Sequence, residues 1–208
     1  MAKTPTQLTD TPAYKLTNAI YRWFAVSALW LLCSLPVLTA GAATAAAMGE
    51  FSDPENYYGH KLVRDYFRRF RACFLPATLL WLMALVLAIL LILDVTFYQQ
   101  FTGSTGWILP ALALVLGNLV LDFFRFGCYS AAVTENTGFR QLLKDTGRTA
   151  VLCLPIFAIM AAMDLALLTT FVQIPYLLFL LVLLPGFCAD IHCRLIRAFL
   201  RRYETAEE

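Results

Sequence analysis

Four residues in the second half of the chain have the types and spacing for chemistry in an apolar interior: Asn118, Asp122, Arg125 and Asp164. Asp164 interrupts an otherwise apolar run from Thr149 to Phe171. A carboxylate there costs about 2.5–3.5 kcal/mol on insertion scales. The ten Leu, Ile, Val and Phe residues of that run return roughly 3–6 kcal/mol, so the segment inserts with little margin. A carboxylate retained at such a cost reads as a proton or cation site, or as an acceptor for a sugar hydroxyl. The plainer alternative is a carboxylic acid hydrogen-bonded to a neighbouring helix. Asp122 and Arg125 are three apart and can pair on one helix face. Their place near the end of an apolar run lets Arg125 snorkel, which makes a structural ion pair the simpler reading. Asn118, like Asn18, fits a helix–helix hydrogen bond.

The other polar chemistry is sparse. Cys188, His192 and Cys193 form the one cluster with ligand-like spacing, Cys188 and His192 being four apart. A metal site takes three or four ligands, and no convincing fourth lies near, so neither a metal nor a cofactor is expected. The six cysteines fall within or beside apolar runs, as buried free thiols do. The chain has no Gly-x-x-x-x-Gly-Lys-Ser/Thr loop, no Gly-x-Gly-x-x-Gly fingerprint, no His-Glu-x-x-His pair and no Gly-x-Ser-x-Gly elbow. A non-enzymatic protein is the expectation.

The elements that must position these residues are apolar runs. Of 208 residues, 60% are hydrophobic and 14% charged, with a mean hydropathy of +0.68. Soluble domains carry about a quarter charged residues and about half apolar ones. A disordered chain and most soluble enzymes are therefore excluded. The runs are Trp23 to Gly49, Ala72 to Leu93, Trp107 to Leu121 continuing through Asp122 and Arg125, Thr149 to Phe171, and Ile174 to Asp190. At about 20 residues per crossing, they predict an all-α polytopic membrane bundle in one domain over residues 1–208, with four to five full spans.

Basic residues set the orientation. Lys61, Arg64, Arg68, Arg69 and Arg71 lie in the segment 50–71. Arg140, Lys144 and Arg148 lie in 126–148, just after Arg125, and Arg194, Arg197, Arg201 and Arg202 in the tail 194–208. Those segments are expected in the cytoplasm, whereas the loops at 94–106 and 170–175 hold no basic residue. Five simple spans leave Lys3, Lys15 and Arg22, in and just after the tail 1–17, on the outside. A kink or re-entrant turn at Pro36 would bring that terminus back inside. Gly41, Ala45 and Gly49 recur every four positions, a spacing that suits close helix packing.

Two basic surfaces stand out. Between Leu62 and Phe74, Arg64, Arg68 and Arg71 recur at helical spacing, beside Val63, Phe67, Phe70 and Phe74. Such a helix lies in a membrane interface, its guanidinium groups on anionic head groups or on a cytoplasmic partner. Arg194, Arg197 and Arg201 form a similar stripe. The charge is not gathered into the continuous basic face that nucleic acid requires. A short internal echo pairs Gly41-Ala-Ala-Thr-Ala-Ala-Ala with Gly127-Cys-Tyr-Ser-Ala-Ala-Val. Each precedes a polar loop and then a Leu-Pro pair, Leu75-Pro76 and Leu154-Pro155, as a duplicated helical unit would.

The segment Trp30-Leu-Leu-Cys-Ser-Leu-Pro36-Val-Leu-Thr39-Ala-Gly41-Ala-Ala-Thr44-Ala-Ala, preceded by Asn18, resembles the signature of the YesL family. This is a group of small bacterial multi-pass membrane proteins filed under domain of unknown function 624. The stretch Arg64-Asp65-Tyr66-Phe67-Arg68-Arg69-Phe70-Arg71-Ala-Cys-Phe74 is similar to the family's basic-aromatic element. Chain length and run pattern agree throughout. Family members are often encoded beside carbohydrate uptake and polysaccharide degradation genes. The resemblance therefore implies an accessory to carbohydrate uptake in the bacterial cytoplasmic membrane, with a transporter subunit as partner, and the basic residues of the tail put its C-terminus in the cytoplasm. Two alternatives stay open: a small autonomous transporter or channel with Asp164 lining its path, and a membrane sensor or scaffold. Expected partners are the lipid bilayer, a transporter subunit or a second copy of the chain, and no nucleic acid.

Overall fold

The computed structural model describes residues 12–52, 61–99, 108–134, 138–173 and 184–207. The polar loop at 53–60 with His60, most of the expected loop at 94–106, and the first ten residues of the run Ile174 to Asp190 lie outside them. The described helices in chain order are α1 (Pro12–Ser34), α2 (Ala40–Ser52), α3 (Leu62–Ala72), α4 (Phe74–Gln99), α5 (Ile108–Val133), α6 (Phe139–Leu152), α7 (Leu154–Gln173) and α8 (Leu184–Glu207). No strand occurs among the described residues.

Proline marks the helix starts. Pro12, Pro76, Pro110, Pro155 and Pro185 all lie in the first turn of α1, α4, α5, α7 and α8, where a missing N–H costs nothing. Pro36 instead separates two helices. Proline disfavours helical geometry at the residue before it, and α1 stops just short of Leu35. A single 3₁₀ turn, Val37–Thr39, follows. Its exposed groups find partners: Thr39 Oγ1 donates to Cys33 O and Pro36 O at 2.5 and 2.8 Å, and Trp81 Nε1 donates to Val37 O at 2.8 Å.

After the turn the chain doubles back. Arg22 Nη2 donates to Glu50 O at 2.7 Å, and Trp30 Nε1 to Thr44 Oγ1 at 3.0 Å. α1 and α2 are therefore an antiparallel hairpin whose two feet stand together. This corrects the expectation of a first run that crosses once and leaves Arg22 apart from the segment 50–71. The bend at Pro36 brings Arg22 to the same end as Glu50 and Arg69, an end we call basic.

α2 is the axis of the bundle. From Gly41 to Phe51 only Thr44 escapes burial. A helix apolar on every side must be surrounded, and α1, α3, α4, α5 and α8 all pack on it. Its Gly/Ala composition is what permits that crowding. A Cβ on Gly41 would meet Ala77 O and Trp81 Cβ at 2.5 Å, and one on Gly49 would meet Arg69 Cδ at 2.8 Å. Cys193 Sγ donates to Met48 O at 3.3 Å, tying α8 to the same helix.

The internal echo has a structural counterpart. α3 and α6 are short amphipathic helices, each leading into a longer apolar helix through one cysteine. Cys73 N donates to Arg69 O and Cys153 N to Thr149 O, both at 2.9 Å. The two cysteines share a backbone conformation, φ −93° and ψ 2° against φ −92° and ψ 14°. Tyr66 of α3 and Thr146 of α6 are both fully buried. The echoed segments pack together, Cys128 Sγ lying 3.8 Å from Gly41 O.

Three helices are long and apolar enough to cross a membrane: Leu16–Ser34, Phe74–Phe97 and Pro110–Val133. A fourth arises if α6 and α7, bent by 90°, count as one broken span. Against the four to five full spans expected, three to four are found among the described residues. The expected loop at 126–148 also changes. Phe126 to Ala132 continue α5 as buried helix, because small residues there pack against α2 and α4.

Candidate functional site

The longer α5 moves the ionisable residues away from the end of their run. Asp122 and Arg125 stand midway along Pro110–Val133. Arg125 Nη1 donates to Asp122 Oδ1 at 3.1 Å, one turn back on the same helix. The same nitrogen donates to Asp164 Oδ2 on α7. Asp122 is 1% exposed, while the side chains of Asp164 and Arg125 are 16% and 21% exposed. Three of the four residues singled out by chemistry therefore form one cross-helix cluster. A buried ion pair rewards only good geometry with every charge compensated, and here one guanidinium serves two carboxylates.

Asn118 lies one turn from Asp122 along α5, facing the groove between α5 and α7. Its Oδ1 is buried without a hydrogen-bond partner. α7 is seated by Ile156 and Met160, both buried, and by the Phe157 ring 5.0 Å from that of Phe126.

α8 brings the residues that spacing alone left isolated. His192 is 1% exposed, and its Nε2 has no hydrogen-bond partner. It lies within electrostatic reach of Arg125 and Asp164, as does Cys188. In the sequence Cys188 and His192 share only a ligand-like spacing of four. Their proximity to Arg125 is tertiary, and no local spacing signals it. No group of three or more His, Cys, Asp and Glu is placed to hold a metal ion among the described residues. All six cysteines are free thiols.

A second charged cluster occupies the basic end. Glu50 and Arg69 are 2% and 6% exposed, with Arg69 Nε 3.5 Å from Glu50 Oε1. Arg22 spans the Glu50 carbonyl and the Phe51 ring, 5.3 Å from its centroid. Arg197 donates to Phe51 O at 2.9 Å and also to Ser52 O. Two guanidiniums thus cap the last carbonyls of α2, where the helix dipole is negative. Arg197 was expected on a free basic surface, and its α2 contacts show why it turns inward. Burial pushes the Glu50 carboxyl up to about 7, outweighing the downward pull of Arg69. Glu50 lies beyond the three candidate spans.

Arg64, Arg68 and Arg71 on α3 are exposed, as are Arg194 and Arg201 on α8. Val63, Phe67 and Phe74 are exposed beside the α3 arginines, while Tyr66 and Arg69 face α2. Gly41, Ala45 and Gly49 are all buried in the axial helix. Composition missed two further close approaches. A Cβ on Gly127 would lie 2.0 Å from Leu80 Cδ2, and one on Gly186 would lie 2.4 Å from Trp23 O.

An all-α bundle with apolar spans and a cross-helix ion cluster defines a helical membrane protein. The family model described as "Protein of unknown function, DUF624" matches residues 23–95. That match agrees with the resemblance carried by the Trp30 to Ala46 segment, and it covers α1 from Trp23 through most of α4. The triad of Asp122, Arg125 and Asp164 lies outside it. No curated protein and no solved structure matches the chain.

Proposed function

We propose that this chain is a non-enzymatic accessory of the bacterial cytoplasmic membrane that docks onto a carbohydrate transporter, with its basic end and C-terminus in the cytoplasm. The observation that carries the reading is the outer part of the α4–α5 pair. Val86, Leu90, Ile92, Leu93 and Phe97 of α4 are exposed, as are Leu112, Leu114 and Val115 of α5. A groove of about 550 Å³ between them is floored by the small residues Ala84, Ala88, Ala113 and Gly117. A Cβ on Gly117 would have no atom within 4 Å. Small residues let a partner helix approach closely where lipid offers no equivalent fit. The exposed guanidiniums of Arg64, Arg68, Arg71, Arg194 and Arg201 supply a second contact on the cytoplasmic side. Arg125 holds Asp164 in a cross-helix pair, which favours docking over a path lined by a free carboxylate. The sugar assignment rests on the family resemblance.

The test is co-purification of the full chain with the permease encoded beside it. Gly117→Leu should fill the groove and abolish capture while leaving thermal stability unchanged. Reversing the five exposed arginines to Glu should on its own weaken capture. Sugar uptake by vesicles holding this chain alone would overturn the accessory reading in favour of an autonomous carrier.

A further inference from the structure

The triad midway along α5 does not balance its own charge. Two carboxylates, Asp122 and Asp164, face one guanidinium, so the fully ionised cluster carries a net negative charge in an apolar span. His192, 1% exposed on α8, lies within electrostatic reach of Arg125 and Asp164. One side of its ring is engaged by the Cys188 backbone, while Nε2 has no partner. Asn118 Oδ1 adds a second unpartnered acceptor one turn from Asp122. The cluster therefore holds surplus acceptors and surplus negative charge, and what it lacks is a cationic donor. Buried polar atoms are otherwise satisfied in folded proteins.

The geometry points to a site that binds one proton, held among Asp122, Asp164 and His192. Access is along the groove of about 300 Å³ between α5 and α7, where Asn118 and Asp122 interrupt a lining of Leu114, Val115, Phe157 and Leu165. Binding adds a proton from water to a carboxylate oxygen or to Nε2, and the cluster goes from net negative to neutral. The groups acting on the site are Asp122, Arg125 and Cys128 from α5, Asp164 from α7, and Cys188 and His192 from α8. α6, packed elsewhere on α5, buries only Leu142, Thr146 and Ala150. This site goes beyond the transporter-docking reading and stands without it.

The experiment uses the full chain in lipid vesicles carrying Glu50→Gln and His60→Gln, which removes the raised carboxyl of the basic end and leaves His192 as the one imidazole. Infrared spectra report a protonated carboxylic acid, and isotope-labelled histidine reports an imidazolium, from about pH 5 to about pH 9. At neutral pH one of the two signals should be present and should titrate away on alkalinisation. In Asp164→Asn and in Asp122→Asn it should be lost at neutral pH, since either change leaves the cluster neutral without a proton. Absence of both signals throughout the titration overturns the proposal, as does a signal unchanged in both variants. A signal that follows sodium at constant pH overturns it too, reassigning the site to a cation. Should the variants fail to fold, the titration of the parent chain decides alone. None of these outcomes depends on a transporter partner.

Discussion

Asp164 on α7 and Arg125 on α5, 39 residues apart in the chain, are joined by a side-chain hydrogen bond. Because Asp122 shares the same guanidinium, the two ends of this pair are not equivalent. Arg125→Gln leaves two carboxylates facing each other with no cation, the situation that costs about 3–5 kcal/mol when a buried pair is broken. Asp164→Asn leaves Arg125 still paired with Asp122 and sacrifices one charged hydrogen bond, about 1.5–3 kcal/mol. Unfolding in detergent micelles should rank Arg125→Gln as clearly the less stable variant. Equal or reversed losses would show that the triad does not share its charge as described.

Two glycines separate close approach from open space. Gly186 faces a backbone carbonyl, Trp23 O, 2.4 Å from where a Cβ would sit, with Ser27 Oγ at 2.8 Å. Ser27 Oγ also accepts from Gly186 N at 2.8 Å. Neither neighbour can retreat without parting α1 from α8, so Gly186→Ala should cost about 1–3 kcal/mol. Gly117→Ala meets nothing within 4 Å and should be neutral, or stabilising by up to about 1 kcal/mol through helix propensity. Melting temperatures of the two variants test the contrast directly.

How much of this was legible before the fold? The apolar runs gave the helices and the class, because a span is a property of local composition. Pro36 gave the break, because proline acts on its immediate neighbours. The four-residue spacing of Gly41, Ala45 and Gly49 marked α2 as a packing helix, and the pairing of Asp122 with Arg125 follows from helical spacing. What composition hides is which helix meets which. Asp164 reads as an isolated cost until α7 lies against α5, and His192 reads as one member of an incomplete ligand cluster until α8 is tucked beside α2. The basic end misled in one respect. Arg22 and Arg69 read only as charges that set orientation and Arg197 as part of a basic stripe, yet each turns inward onto Glu50 or the last carbonyls of α2.

Trp23 provides a sharper test of how α8 is held. Its Nε1 donates to Asp190 Oδ2 at 2.9 Å, while Arg194 Nε donates to Asp190 Oδ1 at 2.8 Å. The Phe187 ring stands edge-on to the indole at 5.1 Å. Trp23→Phe preserves an aromatic face and deletes one donor to a carboxylate that is 5% exposed. A loss of about 1–3 kcal/mol is expected. Adding Asp190→Asn should recover part of it, because the oxygen left without the indole donor then belongs to a neutral amide. A double variant with the full sum of both losses would mean the two side chains act independently.

Glu50 sets the sign of the pH dependence at the basic end. Its carboxyl is raised from 4.5 to about 7, first by burial, then by Asp65, against the pull of Arg69, Arg22 and Arg68. Between those values the folded chain keeps a proton that the unfolded chain has lost. Stability from this group is therefore fully present below about pH 4.5 and fades as pH rises through about 7. The full swing is roughly 3 kcal/mol, taking about 1.4 kcal/mol for each unit of difference. Glu50→Gln cannot ionise, so it should lack this decline and differ elsewhere by a constant offset from its altered contact with Arg69. Thermal unfolding of both chains across the window measures the difference, and parallel profiles would show that Glu50 is ionised throughout as a compensated partner of Arg69.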